Sequence, residues 1–109
     1  MISERGGELN ADVNLKYVIF LHAVEGQTLS RELHSAHAEH LKELDRRGIL
    51  VLAGPFIEHN SGMIVINAAS KNKAVKIAET DPFIIQGYRT YEVRTLESCC
   101  KASNYRKPD

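Results

Sequence analysis

At 109 residues, with 43% apolar and 26% charged side chains, the chain suits one domain with its own core and needs neither disulfide nor metal to hold it. Fourteen basic and fourteen acidic residues balance, which argues against a nucleic-acid binder, because phosphate contacts leave a basic excess. No apolar run approaches the roughly 18–20 residues that cross a bilayer, and the opening MISERGGELNADVN is unlike a signal peptide, so a soluble cytoplasmic protein with no membrane partner is expected.

Residues 1–14 and 99–109 are polar and without periodicity, and read as tails around a domain at 15–98. The adjacent Cys99 and Cys100 cannot close an ordinary disulfide and lack metal or redox spacing, so two reduced thiols are expected. LKYVIFLHAV (15–24) is rich in branched and aromatic residues and reads as a strand with little solvated surface. Thr28 or Ser30 then caps a helix that Gly48 ends. ILVLAGPFIE (49–58) is a second strand, in which Gly54-Pro55 predicts a distortion, since Pro55 has no N–H for the ladder and Gly54 permits close backbone approach. HNSG (59–62) is turn chemistry and MIVINAA (63–69) a third strand. Ser70 caps a second helix, Asp81 before Pro82 marks a short capped turn, and the alternating YRTYEVRTL (88–96) is the last strand.

Strand, helix, strand, strand, helix, strand is the split βαβ order of an α+β, ferredoxin-like domain. Its four-stranded antiparallel sheet carries both helices on one face. Strands this apolar on both sides imply a cover for the other face, most economically a second copy of the chain. A homodimer is therefore expected, with higher assembly left open.

His34, His37 and His40 are the chemical groups of the first helix. At about 100° per residue, with Leu33 at zero, His40 falls near 340° and His37 near 40°, both inside the leucine stripe, while His34 sits at its margin. His40 then faces the sheet and must find a polar partner. A metal site on His37 and His40, helped by His22 or Asp81, lacks any zinc signature, and no metal is expected. A satisfied core histidine or a proton-transfer group remains for His40, with Asp81 as the carboxylate that orients it.

HLKEL followed by GILVLAGPF, then GMIVINAASKNKAVKIAETDPFIIQG and an alternating last strand, resemble the YciI-like proteins over about residues 15–96. The resemblance implies a dimeric α+β barrel related to muconolactone isomerase-like proteins. It also implies a pocket holding a histidine and an aspartate, here His40 and Asp81. It implies no organic cofactor, and a few members act on small ring compounds, among them a dehydrochlorinase of a chlorinated hydroxyquinol. Many relatives carry an arginine one turn before the key histidine, and His37 stands in that place here. His40 and Asp81 are therefore the expected catalytic pair of a lyase or isomerase acting on a small cyclic molecule. His37, His22, Gly54, Pro55, Phe56 and Phe83 are the expected ligand contacts. The rival reading is a non-catalytic dimeric module that binds a metabolite or a protein.

Overall fold

The computed structural model describes residues 15–58 and 60–106; the tail at 1–14, turn residue His59 and residues 107–109 lie outside the described residues. The elements run β1 (Leu15–Ala23), α1 (Arg31–Arg46), β2 (Leu50–Pro55), β3 (Gly62–Ile66), α2 (Lys71–Ala78), α3 (Pro82–Ile85) and β4 (Arg89–Glu97), with a short 3-10 turn at Lys101–Ser103 inside the expected tail. The strands form one sheet in the order β2-β3-β1-β4, every pair antiparallel. That order follows from apolarity: β1 and β3, the most buried strands, occupy the centre, where each finds a partner on both edges.

Local chemistry sets the helix ends. Ser30 accepts from the Leu33 N–H at 3.0 Å and starts α1. Beyond Arg46 the chain leaves through Gly48, whose φ of +74° suits glycine. Ser70 likewise caps α2 by accepting from Lys73. Asp81 caps α3, a helix of four residues with Pro82 at its first turn.

The core lies between helices and sheet. Register puts Tyr17, Ile19 and Leu21 of β1 in phase with Ile64 and Ile66 of β3 and with Val93 of β4, and these close on Leu44, Ala74, Ala78 and Phe83. Each large aliphatic side chain removed from water here contributes about 1.5–3 kcal/mol. The opposite face carries Val18, Phe20, Leu52, Val65 and Leu96, of which Leu52 and Leu96 are exposed.

The expected distortion of β2 lies elsewhere. Gly54 and Pro55 pair regularly with Met63 and Gly62, and the register shifts between Leu50 and Leu52 instead. Because β2 is an edge strand, the missing N–H of Pro55 costs no ladder bond on its free side. The close backbone approach is made by Gly62, where an added Cβ would meet the Gly54 carbonyl oxygen at 2.9 Å; nothing crowds Gly54 itself.

Candidate active site

A cavity of about 580 Å³ opens between α1 and one end of the sheet, within the usual range for small-molecule sites. Antiparallel register brings its parts together. Leu21, near the end of β1, faces Gly62 of β3 and Tyr91 of β4, and Ala23 faces Arg89. The β2–β3 turn, the start of β4 and the loop leaving β1 therefore converge, and α1 crosses above them. Leu21, Leu29, Leu41 and Ile64 make the walls apolar; His34, His37, Asn60 and Arg89 are among the polar groups.

The polar centre is a histidine on a buried carboxylate. Asp81 is 1% exposed, and its Oδ1 accepts twice at 2.9 Å, from the Phe83 N–H that it caps and from the ring of His37. An ionised carboxylate only accepts, so His37 donates through Nδ1–H. Its remaining nitrogen, Nε2, is then the acceptor of the neutral ring. His37 lines the cavity and Asp81 does not, so Nε2 is the nitrogen left for a ligand. The imidazole also stacks on the Phe83 ring, with centroids 4.0 Å apart and planes 8° from parallel, and its side chain is 16% exposed. Position, plane and tautomer are thus all constrained. Asp81 Oδ2 is buried without a hydrogen-bond partner among the described residues, so positive charge beside this carboxylate is favoured.

The partner of Asp81 is thus His37, where His40 was expected. One helical turn along, His40 is half-buried, outside the cavity lining, with its ring centroid 6.5 Å from that of His37. Burial holds its pKa below the ordinary histidine value; Asp81 opposes this, while His37 and Arg47 add to it. That direction suits a neutral structural imidazole better than a group that must gain and lose a proton near pH 7. The reason is position along the helix axis: both rings lie in the apolar stripe, but α3 delivers Asp81 at the level of His37.

Of the other expected contacts, Gly54, Pro55 and Phe83 line the cavity. Phe83 serves as well in the core, so it is platform and packing at once. His22 does not reach the site. It sits on the helix-free face beside Phe20, with Nε2 3.6 Å from a Glu92 carboxylate oxygen, because alternation from Leu21 turns it away. Phe56 is exposed and outside the cavity; its backbone N–H bonds Ser61 as β2 gives way to the turn. Among the described residues no cluster of three or more His, Cys, Asp or Glu could hold a metal ion.

Arg89 went unnoticed in the sequence. It is 6% exposed and lines the cavity. Nη1 donates to the Tyr88 carbonyl at 2.8 Å and Nη2 to Asn60 Oδ1 at 3.0 Å. Burial pulls its pKa down from the ordinary arginine value. The readable signal was phase: in YRTYEVRTL the inward positions are Arg89, Tyr91 and Val93, and an arginine in step with an inward valine calls for an explanation.

A ferredoxin-like α+β domain with a largely apolar cavity, lined by a histidine that is bonded to a buried aspartate, is the class that fold and site define. A family model, the YCII-related domain, matches residues 15–97, and the chain belongs to that family. Membership points to a small-molecule-binding or enzymatic domain. Comparison with curated proteins finds no match. No described helix is long and apolar enough to cross a membrane.

Proposed function

We propose that the chain is an enzyme that moves a proton on a small, largely apolar molecule held in the cavity, with His37 as base and acid and Asp81 as its positioning partner. The observation that carries this reading is the 2.9 Å bond from His37 Nδ1 to a carboxylate that is itself buried and held by a backbone N–H. Nε2 takes a proton from the substrate. The imidazolium then faces the Asp81 carboxylate, which offsets the new charge in a site where water screens poorly. Returning that proton to a second atom of the substrate gives an isomerisation. If a leaving group such as halide departs with its electron pair, the same first step gives an elimination and His37 later releases the proton to water. Positioned acid–base catalysis of this type contributes about 10²–10⁴-fold.

The test is deuterium incorporation into ring lactones in heavy water, together with halide release from a chlorinated hydroxyquinol. Wild type should catalyse one or the other. His37→Gln should lower the rate by about 10²-fold or more, and His40→Leu should retain it within a few-fold. A His37→Gln protein as fast as wild type, or a wild type inert in both assays, defeats this reading and favours the binding module.

We propose also that a second copy of the chain covers the helix-free face of the sheet, burying Phe20, Leu52 and Leu96. Wild type should sediment as a dimer and Phe20→Glu as a monomer; a monomeric wild type at tens of micromolar would exclude this.

A further inference from the structure

Arg89 has no role in the proton transfer just described, and its setting is unusual. Among the described residues it is the one side chain of permanent charge in the cavity lining, and no carboxylate faces it; it is 6% exposed. Of the five N–H groups of a guanidinium, two are held by the Tyr88 carbonyl and Asn60. Burial lowers its pKa from the ordinary arginine value. An unpaired buried cation is costly unless something supplies its counter-charge. Arg89 is also held relative to the reacting group: its guanidinium carbon lies 5.8 Å from the Phe83 ring centre, and the His37 ring stacks 4.0 Å from that same centre. At most about 10 Å therefore separates guanidinium and imidazole, a span that one small ring with a substituent can bridge.

We propose that Arg89 is the anion-binding residue of this cavity and that its ligand is a small monocarboxylate with an apolar, ring-sized body. A planar carboxylate matches the geometry of a guanidinium fork, and a single negative charge matches the single fixed positive one. A phosphate, with more charge and more oxygens to keep solvated, would press against the apolar walls of Leu21, Leu29, Leu41 and Ile64. The aliphatic walls take the body of the ligand, and Phe83, which carries the His37 ring and lies beneath the Arg89 guanidinium, limits how far apart the two polar groups stand. The inference rests on the cavity assigned above but not on turnover at His37, so the two can fail separately.

The experiment compares benzoate with benzamide, which share shape but not charge, by NMR titration at constant ionic strength, following the Arg89 Nε–H resonance. Cyclohexanecarboxylate and its amide form a second pair. Each acid should bind about tenfold or more tightly than its amide and shift the Arg89 resonance. Arg89→Gln should bind acid and amide alike, while Arg89→Lys, which keeps charge but loses the fork, should keep part of the preference. Equal binding of acid and amide by wild type, no binding of either acid, or a preference that survives Arg89→Gln overturns the proposal. Arg89 also anchors Asn60, so Arg89→Gln is checked for folding by thermal unfolding; if it does not fold, the wild-type resonance and Arg89→Lys decide. Acid preference in a protein inert in the proton-transfer assays would sink that reading and leave this one standing. Activity without acid preference would do the reverse.

Discussion

Replacing His40 by leucine separates the two histidines of the stripe by their physics. His40 has no hydrogen bond among the described residues, and its only recorded ring contact is with His37. Leu33, Leu41 and Leu44 lie on the same helical stripe, so leucine suits the site and is a good helix former. At pH 7, where the imidazole is neutral, the gain in apolar burial should leave His40→Leu equal to wild type or more stable by up to about 1.5 kcal/mol. The gap should widen in acid. Burial depresses the folded pKa of His40 below its unfolded value, so as pH falls from the unfolded value, roughly 6.5, toward the folded one, the unfolded chain binds the proton first and wild type loses stability. The slope from one such group is at most about 1.4 kcal/mol per pH unit, and less here because water reaches the half-buried ring. Leucine removes that slope. Urea unfolding of both proteins at pH 7.5 and 5.5 measures it, the difference cancelling the groups they share. A loss above about 1 kcal/mol at pH 7.5 would mean that His40 holds a polar partner, and a gap that does not widen at pH 5.5 would refute the burial argument.

Asp81→Ala strands the Phe83 N–H and the His37 ring together. A cost of about 2–4 kcal/mol in urea midpoint with loss of turnover is expected, whereas a drop below about 0.5 kcal/mol would show that neither bond matters. Ser30→Ala removes the cap of α1 and should cost about 1 kcal/mol by denaturant titration. Gly62→Ala drives a Cβ against the Gly54 carbonyl oxygen and should cost about 1–3 kcal/mol. Gly54→Ala, with open space around it, should stay within about 0.5 kcal/mol; similar values for the two glycines would contradict the close approach assigned to Gly62.

The four strands and two longer helices, their order and the caps at Ser30, Ser70 and Asp81 were legible in the sequence, because capping and periodicity act across a few neighbouring residues. So was the family, through motifs spread over the same elements. What distance along the chain hides is which groups meet. The wheel places His37 and His40 in one stripe, but only the packing of α3 against α1 decides that the carboxylate, 44 residues from His37, stops at its level. Arg89 becomes a cavity group because antiparallel pairing brings the start of β4 to the end of β1, and His22 leaves the site because its neighbour Leu21 already faces inward. Local chemistry writes helices, strands and their ends into the sequence; the site is assembled from side chains whose meeting depends on sheet register and helix placement, set by the packing of the whole core.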